Sequence, residues 1–433
     1  MKKYATLDTP KWSALEKISF RFFFLYFALF IAFQNNGAYP FFEYVSNLWQ
    51  NFLNNYIPWV GKHILGIKYD FSLTPTGSGD TTFDYVILFC IAIIAVFGTI
   101  IWSLLQRNIQ NYQKLYYYLT VAIRFYIGLM LINYGMYKVI QLQFSPPGLY
   151  RLTETYGDSS PMGLAWTFLG FSKGYNLFMG IAEIASILLL FRRTLTFGLV
   201  ITLMTTANVM AVNYFYDVPV KILSTHLFLM SAFLLARDFK KLLIFFFERV
   251  PVALTNIYKP KFNRWIRISL VTLKIAVLGY ALGYGFYSML DLQETYYGEA
   301  TKSPLQGVYE VKEVTLNGET KTYDEFTVKD WKYIGIERKE RAMIQSFDLK
   351  RRFVTLGVDT DKKTMTLTDQ NQAEDKTYNF EYSEGDHDDF FLKGIVNKTD
   401  TLSLKLKRYK DFRKKFLLTN RGYHWISEFP FNR

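Results

Sequence analysis

Seven apolar runs dominate the first two thirds of this 433-residue chain, at roughly 17–35, 84–105, 117–139, 175–191, 194–216, 219–236 and 266–290. A helix needs about 20 apolar residues to cross the hydrocarbon layer, and most of the runs reach that length. The run at 175–191 is the shortest. The pattern predicts a polytopic α-helical membrane bundle. The first run follows "MKKYATLDTPKWSALEK" without a small-residue cleavage site behind it, and reads as a retained anchor.

Charge sets the expected orientation. The chain carries 50 Lys and Arg against 37 Asp and Glu. Residues 291–433 hold 25 of each, so residues 1–290 hold 25 basic and 12 acidic and carry the whole excess of +13. The N-terminus (Lys2, Lys3, Lys11, Lys17), the Arg107/Lys114 loop, the Arg192–Arg193 turn and the 237–267 connection are all basic. With seven spans these alternate segments share one face, the cytoplasmic one by the positive-inside rule. The chain is therefore expected in the cytoplasmic membrane of a bacterium, N-terminus inside and residues from about 291 in the periplasm. The basic balance has its explanation in topology and does not point to nucleic acid. The lone cysteine, Cys90, falls within the second run and permits no disulfide within the chain.

Beyond Leu290 the periodicity changes to two. "GVYEVKEVTLNG", "WKYIGIER", "RFVTLGVDTDKKTMTLTD", "KTYNFEYSEGD" and "TLSLKLKRY" alternate apolar and polar residues around turn-rich breaks. They predict a small antiparallel β barrel or sandwich. The closing "LLTNRGYHWISEFPFNR" reads either as its final strand or as an aromatic–basic terminus packing back on the membrane unit. Between the first two runs, Phe41, Val45, Leu48, Trp49, Phe52, Leu53 and Tyr56 share one helical face, expected on the outer membrane surface. The stretch "FSPPGLYRLTETYGDSSPMGLAWTFLGFS" leaves and rejoins that outer face, and its apolar end, Met162 to Phe171, is too short to cross. The expected domains are 1–116 (two spans and the interfacial helix), 117–240, 241–290 (cytoplasmic connection and seventh span) and 291–433.

Polar groups inside the runs are the candidates for function, because a charge at mid-membrane costs at least ~2.5–3.5 kcal/mol on insertion scales. Arg124, Gly128, Gly135 and Lys138 fall on one stripe of the third run at 100° per residue. Counted from the cytoplasmic ends, Arg124, Glu183, His226 and Lys274 lie within about 6 Å of one level. Asn176 and Gly180 share a face with Glu183. Two readings follow. In one, Glu183 and Arg124 form a buried ion pair that orients two helices. In the other, Arg124, Glu183, His226, Lys274 and Asn176 line a polar pocket for an anionic or carbonyl-bearing ligand such as a quinone head group or a lipid phosphate. Lys138 is read as snorkelling to the outer interface. The "EGDHDDF" cluster (Glu384, Asp386, His387, Asp388, Asp389) reads as an acidic solvated loop rather than a cation site. No metal or haem-ligand pattern and no catalytic triad order is present.

The residues Arg124, Gly128, Gly135 and Lys138, then Glu183 and the basic "FRRTLTFG" turn, make the middle of the chain resemble the DoxX-like membrane family over about 115–240. The resemblance implies a four-helix membrane unit. Some members of that family are described as subunits of a terminal quinol oxidase, and related branches are implicated in redox maturation or as membrane chaperones. The chain departs from the simple family by two preceding spans, one following span and the β-domain. The expected function is an accessory or assembly component of an envelope or quinone-linked respiratory complex, without a catalytic site of its own. It would bind a lipidic or quinone-like ligand and engage a protein partner through the β-domain, with membrane lipids around the helices. A quinone-linked oxidoreductase subunit and a small-molecule or lipid transporter are the rivals; the second predicts inverted repeats, which the sequence does not display.

Overall fold

The computed structural model describes residues 11–71, 76–255, 258, 260–327, 329–369, 376–396 and 400–432. Lys2 and Lys3 of the basic N-terminus lie outside these residues. The chain forms two units, one from residues 1–143 with 174–289, the other from 144–173 with 290–433. The division falls at 143/144, 173/174 and 289/290, so residues 144–173 belong to the second unit.

The first unit is helical. Its elements are α1 (Ala14–Phe33), α2 (Glu43–His63), α3 (Thr82–Leu105) and α4 (Gln113–Val139), followed after the 144–173 excursion by α7 (Lys173–Ile184), α8 (Leu195–Phe215), α9 (Lys221–Leu243) and α10 (Arg264–Gly279). Capping explains the sharp starts of α1 and α3. Ser13 and Glu16, then Thr81 and Asp84, each satisfy two otherwise orphaned N–H groups reciprocally. Among the described residues five helical stretches are long and apolar enough to cross a membrane: Thr82–Leu105, Gln113–Val139, Lys173–Leu190, Leu195–Phe215 and Arg264–Thr301. The chain is a helical membrane protein by that criterion. The first and sixth expected runs are the helices α1 and α9, whose ends carry Glu16, Lys17 and Arg21, and Lys221, Arg237 and Asp238.

Helix α2 is apolar on two faces. Leu53, Ile57 and Val60 are buried in the bundle core, so Leu53 leaves the expected outward face. Leu48, Phe52, Tyr56 and Trp59 remain exposed, and the Phe52, Tyr56 and Trp59 rings stack in series at 5.1 and 6.0 Å. Such an uncovered aromatic ladder suits the membrane–water interface.

The four basic segments meet at one end of this unit. Trp12 N donates to Gln110 O and Lys17 Nζ to Ile109 O. Arg192 lies over the Tyr117 ring. Thr196 and Thr255 both donate to Asp238, which joins the turn after α7 to the connection after α9.

The second unit is a closed barrel. Its strands are β1 (Gly307–Leu316), β2 (Glu319–Thr322), β3 (Trp331–Arg338), β4 (Arg341–Ser346), β5 (Arg351–Asp359), β6 (Thr364–Asp369), β7 (Lys376–Glu384), β8 (Asp389–Val396) and β9 (Asp400–Tyr409). All neighbours are antiparallel, β9 returns to pair with β1, and β2 is a short hairpin arm outside the ring of eight. Of the two expected β architectures, barrel and sandwich, the barrel is the one formed. Eight strands leave an interior just wide enough for side chains to fill. Inward residues pair around the circle: Tyr309 with Ile334, Ile334 with Ile344, Ala342 with Val354, Leu356 with Leu367, Met365 with Phe380, Tyr382 with Leu392, and Phe390 with Leu406. These residues form one buried cluster.

Residues 144–173 lie against the outer wall of this barrel. The short helix α5 (Leu149–Leu152) seats Leu149 over Gly335, where a Cβ would come within 1.8 Å of the leucine. Arg351 donates to Tyr150 O at 2.8 Å and pairs with Glu154 at 3.0 Å, and Gln345 donates to Thr153 O. The apolar end forms α6 (Pro161–Phe171), an 11-residue helix packed on residues 144–151 through Trp166 against Phe144 and Gly163 against Arg151. Phe168 and Phe171 of this helix remain exposed.

The final-strand reading of the C-terminus does not hold: among the described residues after Tyr409 there is no strand, only short helical turns and coil. The chain instead turns at 412–415, buries Phe412, and ends in exposed residues that include Tyr423, Trp425 and Phe429. In the acidic hairpin between β7 and β8, Arg408 of β9 pairs with Glu384 at 3.1 Å and Lys410, just beyond β9, with Asp388 at 3.8 Å, so two of the carboxylates are met by cations.

One carboxylate fastens the C-terminal turn. Burial alone would raise the pKa of Glu310, but hydrogen bonds from Lys415 (2.8 Å) and Tyr409 (2.9 Å), with the charges of Lys415 and Lys312, outweigh it and hold the carboxyl below its ordinary range. A depressed folded value means that this stabilisation is complete above the ordinary glutamate range and is lost as pH falls through the folded value. Thermal melts of the full-length protein should therefore show part of their acid sensitivity disappear in Glu310→Gln; an unchanged pH profile would remove Glu310 from the account.

Candidate functional site

The stripe of α4 faces a single element along its whole length. That element is α7 with its continuation as a 3-10 turn over Ala185–Leu190. At the middle, Gly135 and Gly180 lie carbonyl to Cα: a Cβ on either glycine would meet the other's backbone oxygen at 2.6 Å. Gly128 faces Leu190, and the Ser186 hydroxyl donates to the Gly128 carbonyl. At the two ends sit the cations. Lys138 Nζ reaches Glu183 Oε2 at 2.7 Å, and Arg124 Nε donates to Leu189 O at 2.6 Å. Small residues admit the close approach that lets these polar groups find partners across the seam.

The expected partner of Glu183 is thus corrected. It pairs with Lys138 rather than Arg124, and both side chains are under a tenth exposed, so Lys138 does not snorkel. Counting depth by Cα positions missed the direction of the side chains. Each Cα–Cβ bond leans toward the N-terminus of its own helix. In an antiparallel pair the lysine of α4 and the glutamate of α7 therefore lean toward each other across more than one turn.

The five residues expected to line one pocket are distributed over three places. Glu183, with Asn176 and Gly180 as the other buried residues of α7, belongs to the seam with Lys138. Arg124 and Lys274 meet at the C-terminal end of the 3-10 turn, where Lys274 Nζ donates to Leu190 O at 2.6 Å and lies 3.9 Å from the Phe191 ring centroid. The last carbonyls of a helix lack intrahelical partners and carry its negative dipole end, which suits cations. His226 lies elsewhere again. Its ring stacks on Phe30 at 3.8 Å, Nδ1 meets Ile222 O at 2.6 Å and Nε2 meets Tyr26 OH at 2.9 Å. A carbonyl only accepts, so Nδ1 carries the proton and Nε2 of the neutral ring accepts from the tyrosine. The arrangement orders a core histidine between α1 and α9.

Three further polar residues hold the unit together and were not singled out from sequence. Arg21 donates to Tyr112 OH, Ser103 Oγ and Gln106 O, joining α1 to the α3–α4 connection. Asp80 accepts from Lys221 N and Ile222 N at 2.7 and 2.9 Å and so caps α9 from a distant loop. Asp238, fully buried, accepts from Arg237, Thr196 and Thr255. Arg21 alone had a local signal, an arginine one turn inside an apolar run; the partners of Asp80 lie far away in sequence, and those of Asp238 other than the adjacent Arg237 lie on α8 and across a loop.

One relative bears on kinship. The uncharacterized protein YwoB of Bacillus subtilis (strain 168) is 36% identical over 121 residues, which cover 27% of this chain and 75% of YwoB. The chain belongs to the same family as YwoB. That kinship brings no activity with it, since YwoB is described as uncharacterized. No family model matches the chain, and no solved structure matches it.

The glycine seam makes a direct prediction. Gly180→Val forces a branched side chain onto the Gly135 carbonyl and should cost about 1–3 kcal/mol or more by overpacking. Gly279→Ala, where a Cβ meets nothing within 4 Å, should leave thermal stability in detergent nearly unchanged or slightly raised. Equal melting of the two variants would contradict the close seam.

Proposed function

We propose that the chain is a multi-pass protein of the bacterial cytoplasmic membrane, with its N-terminus inside and its barrel outside the cytoplasm. It serves there as a non-catalytic accessory or assembly component of an envelope or quinone-linked respiratory complex. The observation that carries this reading is how the protein uses its own deep charges. Lys138 and Glu183 neutralise each other, and Arg124 and Lys274 cap the carbonyls of Leu189 and Leu190. Groups committed in this way fix helix positions and are poorly placed for proton or electron transfer.

Several further observations support the reading. The grouping of α4, α7, α8 and α9 around a glycine seam, with the Arg192–Arg193 turn, fits the DoxX-like resemblance. The meeting of the basic segments at one end fits a cytoplasmic face. Counting α1 and α9, helices of 20 and 23 residues, as spans gives seven and an outside barrel. Because apolar side chains fill the barrel interior, partner binding falls to its outer wall. There Phe391 and Ile395 are both exposed and point outward from β8, four residues apart.

The full-length protein, extracted from its native membrane in mild detergent, should migrate in a native gel well above its own 50.8 kDa. Ile395→Asp should release it as a single chain without lowering the barrel's melting temperature. Wild type migrating alone, or a variant that stays in the larger species, would refute partner binding through this wall.

A further inference from the structure

The turn after α7 gathers more positive charge than the protein neutralises. Arg124 comes from α4, Arg192 from the turn itself, Arg237 from α9 and Lys274 from α10. Arg124 and Lys274 donate to the adjacent carbonyls of Leu189 and Leu190, Arg192 lies over the Tyr117 ring of α4, and Arg237 pairs with Asp238, which also accepts from Thr196 just beyond the turn. The acid at this place is Asp238, already accepting from Arg237, Thr196 and Thr255. Among the described residues these four cations are met by one carboxylate, and the helix-end carbonyls of Leu189 and Leu190 contribute only partial charge.

Donors are left over as well. Among the described residues the Arg124 guanidinium makes one hydrogen bond, from Nε, although its side chain is buried. The Nε of Arg237 is buried without a hydrogen-bond partner. Lys274 spends one of its three N–H groups on Leu190 O. Tyr117 and Phe191 flank the cluster, under Arg192 and Lys274 respectively. Arg192 is exposed and marks the open side. An arginine fork matches the oxygens of a phosphate, and basic pockets between membrane helices on the cytoplasmic side hold anionic headgroups.

We propose that Arg124, Arg192, Arg237 and Lys274 form a binding site for a phosphate anion at the basic end of the helical unit, supplied by the headgroup of an anionic phospholipid. The site rests on the membrane-spanning reading and is independent of the accessory role and of the Lys138–Glu183 seam.

The test uses the full-length protein in bilayer nanodiscs of phosphatidylcholine, of phosphatidylcholine with phosphatidylglycerol, and of phosphatidylcholine with added inorganic phosphate at matched ionic strength. Phosphatidylglycerol should raise the melting temperature. Native mass spectrometry should retain that lipid about five-fold less in Arg192→Gln, the effect of one cation near an anionic headgroup. Arg193→Gln, at the adjacent exposed arginine, should behave as wild type. A rise produced by inorganic phosphate alone would keep the phosphate chemistry and make soluble phosphate its source. Equal melting in all three bilayers, or equal lipid retention by the two variants, would overturn the site. Failure to enter any bilayer would instead overturn the membrane reading.

Discussion

The contact between α4 and α7 determines how the rest of the helical unit is built. Two glycines, Gly135 and Gly180, let the backbones touch, and that approach brings Lys138 within 2.7 Å of Glu183. Neither feature works alone. A bulkier pair would hold the helices apart and leave two charges in lipid; an uncharged pair would leave the register of the two helices to packing. Breaking a buried ion pair by removing one partner costs about 3–5 kcal/mol, while replacing both with apolar residues is often neutral. The pair is better regarded as a device that selects one register than as a source of net stability. At the other end of the same seam, the 3-10 turn exposes its last carbonyls to Arg124 and Lys274, so the element opposite α4 is held at both ends by cations.

The barrel follows a different logic. Its strands satisfy one another around a closed ring, and the inward residues fill the lumen. Segment 144–173, covalently part of the helical stretch of the sequence, spends its apolar and charged residues on the barrel wall through Leu149, Glu154 and Tyr150. The two units are therefore linked by three chain passages, at 143/144, 173/174 and 289/290.

Much of this was legible in the sequence because it depends on local period. Apolar runs located the spanning helices, five of them to within a few residues, and alternation located β1, β3, β5, β6, β7 and β9 but not β2, β4 or β8. The stripe on α4 was legible for the same reason: 124, 128, 135 and 138 share a face whatever lies opposite. What lay opposite was not legible. Glu183 was matched to Arg124 by Cα depth, whereas side-chain lean and a 3-10 segment with about 2.0 Å rise per residue shift the true match to Lys138. His226 was drawn into a pocket by its depth alone, and only the rings of Tyr26 and Phe30, some 200 residues away in sequence, give it a different setting. The docking of 144–173 escaped notice because a loop binding a distant strand wall has no period to read.

A double-mutant cycle on Lys138 and Glu183, measured as unfolding free energy of the full-length protein in detergent, tests the central claim most directly. Lys138→Met and Glu183→Leu should each be strongly destabilising, and the double variant should be more stable than either single variant, with most of the summed loss recovered. Strictly additive losses, or a Glu183→Leu variant as stable as wild type, would show that the two residues do not hold the seam together.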